Sequence, residues 1–343
     1  MQRRITSPGP LHDENGCLSE VGYATSLIKT YDRGRIAARP FRIKEWDYYA
    51  VCTGRFAFAL TIDHNGYMTM DSISLLNFET NSQVTESRIS LPAFAKRSLP
   101  ATSEKGNIRV SGKDYEMAFD NDGSVRHLYG HMDRFPKGSR IDFDLELTDA
   151  PEESMVIVTP YKDHPHAFYY NQKINCLRVS GSIRCGGREY LCSPEDTFAV
   201  LDWGRGVWTY DNTWYWGSAS GLAGGIPFGF NIGYGFGDTT AASENVLFYG
   251  GRIHKLSQVR FEIPMKDGKE DYLSPWTFSS DDVRFEMAFE PVMDRSAKID
   301  LKLICSDQHQ VFGRFTGTVI LDDGRKLEIR DLMGFAEKVR NKW

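Results

Sequence analysis

Ile141-Asp142-Phe143-Asp144-Leu145-Glu146-Leu147 alternates apolar and acidic residues without a break. Successive side chains of an extended chain point to opposite faces, so this run buries one face and wets the other. It reads as a half-buried β-strand. Similar alternation or β-rich runs occur around residues 56–62, 67–75, 109–119, 168–183, 214–236, 283–289, 299–303 and 311–321. Between them fall Asn65-Gly66, Asp122-Gly123, Asp267-Gly268 and Asp323-Gly324, dipeptides that accept the positive φ angles of tight hairpins. The expected fold class is all-β and antiparallel, with helical periodicity confined to residues 18–29 and 335–340.

Three pairs of segments recur in the same order. Tyr115-Glu116-Met117-Ala118-Phe119-Asp120 returns as Phe285-Glu286-Met287-Ala288-Phe289-Glu290, and Arg140-Ile141-Asp142-Phe143-x-Leu145 as Lys298-Ile299-Asp300-Leu301-x-Leu303. Arg178-x-Ser180-Gly181-Ser182-Ile183 returns as Arg314-x-Thr316-Gly317-Thr318-Val319. An ordered set of matches points to internal duplication. Two tandem β-barrel or sandwich units are therefore expected, each curling its sheet to dispose of exposed edges. The expected division is an N-terminal extension over 1–20, a first β domain over 21–193 and a second over 194–343 carrying the tryptophan-rich motif described below.

Composition narrows the function classes. The chain has 343 residues, 41 Lys+Arg against 46 Asp+Glu, and a formal charge of −5. Without a basic cluster to neutralise phosphates, a nucleic-acid partner is excluded. No apolar stretch approaches the roughly 20 residues of a membrane helix, and 41 % hydrophobic residues build a core rather than a disordered coil. Arg3 and Arg4 are followed by no apolar segment, so no export signal is expected and the chain is placed in the cytoplasm. The six cysteines show no C-x-x-C spacing, which fits reduced thiols. Oligomeric state leaves no signature.

The chemistry gathers in Asp202-Trp203-Gly204-Arg205-Gly206-Val207-Trp208-Thr209-Tyr210-Asp211-Asn212-Thr213-Trp214-Tyr215-Trp216, which holds four of the seven tryptophans. Trp203-Gly204-Arg205-Gly206 reads as a tight turn rather than a strand interior, bringing Asp202 and Arg205 together. A structural ion pair amid core indoles is one account. In the other, Asp202 is a proton donor oriented by Arg205 and Tyr210, in a cavity walled by Trp203, Trp208, Trp214 and Trp216. A carboxylate against indole is pushed toward its neutral form and a neighbouring arginine pulls it back.

In Phe228-Gly229-Phe230-Asn231-Ile232-Gly233-Tyr234-Gly235-Phe236-Gly237 bulky residues alternate with Gly or Asn. One face is nearly bare, inviting a ligand or another part of the chain, with Asn231 its single polar group and Tyr234 among the bulky residues opposite. The glycine spacing is not G-x-G-x-x-G, so no nicotinamide cofactor is expected, nor any other. Glu244-Asn245 before an apolar run, and His166 and Lys173 around Tyr169-Tyr170-Asn171-Gln172, are further candidate ligand-binding residues. His127 and His131, about 13 Å apart in an extended chain, cannot share a metal, and no metal site is expected.

The run from Asp202 to Tyr210, Trp214-x-Trp216-Gly217-Ser218-Ala219-Ser220-Gly221, His166-x-Phe168-Tyr169-Tyr170-x-Gln172-Lys173 and Glu244-Asn245 together resemble the signature of domain-of-unknown-function family 2804 over nearly the whole chain. Thr209 is the one departure, where the pattern has proline. More distantly the chain is similar to tandem lipocalin-like proteins that include carotenoid hydratases and cyclases. The resemblance implies two lipocalin-like units and no particular reaction.

Three readings follow. The first is a cofactor-independent enzyme of hydratase, isomerase or cyclase type, working by acid–base chemistry on a small apolar or partly apolar, unsaturated molecule. The second is a carrier of lipid- or terpenoid-like ligands without chemistry. The third is a carbohydrate-active enzyme using Asp202 and Glu244 as its carboxylate pair.

Overall fold

The computed structural model describes residues 2–91, 97–136, 138–300 and 305–342. Among these the regular structure is β, apart from two 3₁₀ turns, Arg33–Arg35 and Pro40–Arg42. Every strand pairing in the two large sheets is antiparallel, while Gly9–Pro10 and Lys29–Thr30 pair in parallel, as does the isolated bridge between Arg4 and Tyr23. No helix among the described residues is long and apolar enough to cross a membrane. The helical expectations fail. Residues 18–29 carry the short strand Gly22–Ala24 and lead into Lys29–Thr30, while 335–340 lie inside the strand Lys326–Lys342. That strand is hydrogen-bonded to Asp211–Ala223 on one side and Cys305–Ile320 on the other, so tertiary pairing overrides a local period.

Two large sheets form the molecule. In the first, the spatial order is Ser82–Ser90, Thr69–Asn77, Phe56–His64, Ile43–Cys52, Phe198–Val207, His164–Cys185, Ser139–Thr148, Arg126–Phe135, Tyr115–Asn121, Gly106–Ser111. In the second it is Arg252–Lys255, Val246–Tyr249, Ile226–Tyr234, Asp211–Ala223, Lys326–Lys342, Cys305–Ile320, Phe285–Asp300, Trp276–Ser280, Val259–Glu262. Both follow one plan. Three strands step away from the unit's opening strand, and the unit's last strand returns to pair with that opening strand on its free side.

The duplication is thus written in the topology, but only one of the three segment matches falls at an equivalent place. Asp144 pairs with Ser182 and Glu286 with Thr318, so Ser139–Thr148 corresponds to the start of Phe285–Asp300, and residues 178–183 to 314–319. The other two matches set alternating strands against the wrong partners. Any amphipathic strand resembles any other, because alternation is all that a half-buried position demands. Of the strand expected at 299–303, residues 299 and 300 end the strand Phe285–Asp300 and 301–303 lie outside the described residues.

The expected boundary at residue 193 is a turn, with Thr197 N donating to Ser193 O at 2.8 Å. The chain nevertheless stays in the first sheet through Val207 and enters the second at Asp211. The tryptophan-rich motif therefore straddles the two sheets. Nor is Trp203-Gly204-Arg205-Gly206 a turn: it is regular strand, with Trp203 paired to Gln172 and Asp47, and Gly204 to Asn171 and Trp46. Glycine is tolerated because a neighbour covers its bare side. A Cβ on Gly204 would lie 2.0 Å from Cζ2 of Trp46. Gly204→Ala is accordingly expected to cost roughly 1–3 kcal/mol as an overpacking defect, read as a lower denaturation midpoint at unchanged m-value.

The interiors differ. The second sheet wraps a solid aromatic core in which Phe230 meets Phe285 and Phe315 at centroid distances of 5.1 and 4.9 Å, and Phe315 meets Phe289 at 4.5 Å. The first encloses Phe58, Leu60, Leu128, Met117, Leu145 and Val179, but also ion pairs. Arg97 makes two 2.7 Å bonds to the carboxylate of Asp71, and Arg205 contacts Asp47 at 3.0 Å. The outer face of the first sheet then packs against the second, and that contact places the site.

Candidate functional site

Period two sorts the Phe198–Val207 strand into two faces. Trp203 and Arg205 point into the first sheet's interior, and Asp202, Gly204 and Gly206 point toward the second sheet. Asp202 and Arg205 therefore do not meet. The Arg205 guanidinium is wholly buried, donating to Asp47 and to the carbonyls of Trp46, Gly204 and Pro100, and lies 4.2 Å over Trp203. Trp203 packs edge-on against Tyr31 and Tyr170. Both expected site residues belong to the interior of the first unit.

Asp202 instead belongs to a polar cluster in the seam between the sheets. Its register partners Lys173 and Tyr48 share its face. Lys173 Nζ lies 2.9 Å from Asp202 Oδ1, and Asn171 Nδ2 donates to the same oxygen at 2.5 Å. Across the seam the Lys173 ammonium sits 4.0 Å over the indole of Trp216, whose Nε1 donates to Asn231 Oδ1 at 2.7 Å. Asn231 in turn donates to the backbone oxygen of Glu244 at 3.0 Å. The bare face of Ile226–Tyr234 is thus filled by the protein itself: a Cβ on Gly229 would meet Cys176 Sγ at 2.9 Å, and one on Gly233 would meet Glu244 Oε1 at 2.7 Å.

Glu244 is 3 % exposed. Its Oε2 accepts from the Tyr169 hydroxyl at 3.4 Å, and its Oε1 has no partner. Burial raises its pKa, with Lys173 pulling down and the charge of Asp202 pushing up. The two carboxylates are therefore close enough to feel one another. A second buried carboxyl, Glu337, accepts from Trp214 Nε1 at 3.0 Å and from Gln310 Nε2 at 2.9 Å. Burial pushes it up to about 7 against these opposing hydrogen bonds.

The sign of that shift fixes a pH dependence. The unfolded chain loses this proton near the ordinary 4.5, so Glu337 supports folding below that value and the support fades as pH rises through about 7. The loss is on the order of 3 kcal/mol. Melting curves between pH 4 and 8 should show the wild type losing stability relative to Glu337→Gln across that window; parallel curves would refute it.

Beside the polar cluster stands an aromatic wall. Tyr169 stacks on Phe236 at 4.9 Å and on Trp46 at 6.3 Å, and Trp208 meets Tyr169, Trp214 and Tyr161 at 5.5, 5.1 and 6.1 Å. Trp208, Trp214 and Trp216, expected from the sequence to wall a ligand cavity, lie at this seam. Four expected residues do not. Tyr210 is 46 % exposed on the link between the sheets, beyond the end of the strand that carries Asp202. Tyr234 faces the second unit's interior, stacked on Tyr215 at 4.5 Å. Asn245 accepts from Gly233 N at 2.7 Å and donates to Ser257 O at 3.0 Å, which fastens a strand. His166 is exposed, with Nδ1 3.4 Å from Gly16 O.

Sequence reasoning passed over Trp46, Tyr48, Tyr161, Gln310 and Glu337, and noted Tyr169 and Asn171 only as part of the stretch around Lys173. The same period two that exposes the strand at 141–147 puts Tyr169, Asn171 and Lys173 on one face. Nothing local marks Tyr48 and Gln310, which meet at 3.3 Å across 262 residues of chain. Among the described residues, no group of three His, Cys, Asp or Glu side chains is arranged to hold a metal ion.

The fold has solved counterparts. An AttH candidate from Nitrosomonas europaea superposes with a TM-score of 0.53 at 16 % identity, covering 90 % of this chain and 97 % of its own. CghA, solved together with a compound, gives 0.50 at 11 % identity over 97 % of both chains. Kievitone hydratase from Nectria haematococca gives 0.49 at 10 % identity, covering 93 % of this chain and 97 % of its own. No curated protein matches the sequence significantly. The model of the domain of unknown function DUF2804 matches residues 2–343, and with its two curled sheets of lipocalin-like type the chain belongs to that family.

Proposed function

We propose that this protein binds a small, largely apolar molecule at the seam between its sheets and moves protons on it without a cofactor, as hydratases, isomerases and cyclases do. The observation that carries the reading is the contrast between two neighbouring carboxyls. Glu244 is buried beside aromatic rings with one oxygen unpaired, and burial raises its pKa above the ordinary carboxyl value. Asp202 accepts hydrogen bonds from an ammonium and an amide on the same oxygen. Two carboxyls held in contrasting surroundings are the usual basis for dividing acid and base roles. The roles therefore shift from the sequence expectation: Glu244 becomes the proton donor, Asp202 the base or charge-stabilising partner, and Lys173 the group that holds Asp202 in place. Trp208, Trp214 and Trp216 supply flat apolar faces that also stabilise developing positive charge.

An isotope experiment tests this and requires no named substrate. Purified protein is incubated with a cell-derived small-molecule extract in deuterium oxide or oxygen-18 water, and the extract is analysed by mass spectrometry. Solvent label should enter one or a few apolar compounds at a rate proportional to protein concentration. Compounds that co-purify with the protein and are recovered unlabelled would instead favour the carrier reading.

A further inference from the structure

Four polar atoms on this seam are buried without a partner: the Tyr161 hydroxyl, Trp208 Nε1, Glu244 Oε1 and Asn171 Oδ1. The residues are 8, 4, 3 and 0 % exposed. An unpaired buried donor or acceptor costs about 1–3 kcal/mol, and folded proteins leave few of them. These four share one neighbourhood. Tyr161 and Trp208 lie against each other, Trp208 meets Tyr169 edge-on, the Tyr169 hydroxyl reaches the Glu244 carboxyl, and Asn171 follows on the same face of the Tyr169 strand. We infer that they form the polar end of a ligand subsite, and that the ligand carries one or two oxygens, as carbonyl or hydroxyl, on an otherwise apolar ring-bearing body.

The count and type of the atoms decide the ligand's chemistry. Tyr161 and Trp208 each offer a donor, for which a carbonyl oxygen is the complement. A hydroxyl uses the same donors and adds a proton for Glu244 or Asn171. The Trp46, Tyr169, Trp208 and Phe236 rings give the remainder of the molecule nothing to hydrogen-bond with. A sugar brings several hydroxyls, more than the seam's unpaired atoms can meet, and each one left over costs about 1–3 kcal/mol. That argues against the carbohydrate reading of Asp202 and Glu244. The inference rests on the seam being the binding site and names what it takes.

Calorimetric titration of the full chain tests it with four probes: acetylnaphthalene, naphthol, their hydrocarbon counterpart ethylnaphthalene, and methyl glucoside. The two oxygenated naphthalenes should bind roughly tenfold tighter than ethylnaphthalene, the worth of one well-placed hydrogen bond, and methyl glucoside should give no signal. Tyr161→Phe and Trp208→Phe should each reduce that preference. If Trp208→Phe loosens the seam, Tyr161→Phe, which removes a single oxygen, decides alone. Equal affinity for the isosteres, no binding of either oxygenated probe, a preference that survives Tyr161→Phe, or tighter binding of the glucoside would each overturn the inference. Probe affinity and solvent-label incorporation are read independently, so this subsite and the proposed chemistry fail separately.

Discussion

Glu244→Gln should lower the rate of solvent-label incorporation by about 10²–10⁴-fold, the range ascribed to a positioned general acid, while leaving the melting temperature nearly unchanged. The amide keeps the size of the carboxyl and can still accept from the Tyr169 hydroxyl at the position of Oε2. What it lacks is an acidic proton. Because burial already favours the uncharged carboxyl, replacing it with an uncharged amide adds no desolvation cost. A merely structural Glu244 would show the opposite pattern, with altered stability and a normal rate. A normal rate in this variant would move the acid role to Glu337, the other seam carboxyl held toward its neutral form.

Breaking the Lys173–Asp202 pair should produce the largest loss of stability. The two side chains are 1 % and 10 % exposed and 2.9 Å apart, so removing either strands a charge in a closed seam. Such losses run at about 3–5 kcal/mol, whereas replacing both partners by apolar groups of similar volume is often neutral. Lys173→Met and Asp202→Asn should therefore each unfold at much lower denaturant, and Lys173→Met combined with Asp202→Leu should recover most of the loss. On the sequence reading, with Asp202 a proton donor in a cavity beside Arg205, Asp202→Asn would have removed an acid and not a structural partner. A buried lysine as partner reverses that expectation. Additive single losses in the double variant would show that the two groups do not depend on one another.

What was legible and what was not follows the range of each interaction. Alternation in Ile141-Asp142-Phe143-Asp144-Leu145-Glu146-Leu147 sets one face of one strand, and in the structure Ile141, Phe143, Leu145 and Leu147 are indeed buried. Turn dipeptides are equally local: Gly66, Gly123, Gly268 and Gly324 all take positive φ. The tryptophan motif was recognisable as unusual, but its geometry was misread because Gly-x-Gly signals a turn only if nothing fills the space beside it. Trp46, more than 150 residues earlier, fills it.

The amino-acid sequence by itself determined an antiparallel all-β chain, two units on one plan, and a concentration of indoles beside Asp202. Only the tertiary structure decided that Asp202 and Arg205 face opposite sides of one strand, that Asp202 pairs with Lys173, and that Glu244 and Glu337 are the carboxyls kept toward neutrality. The physical reason is that hydrophobic period and turn chemistry act over a few residues, whereas a buried polar group takes its charge state and its partner from whatever the opposing sheet brings against it.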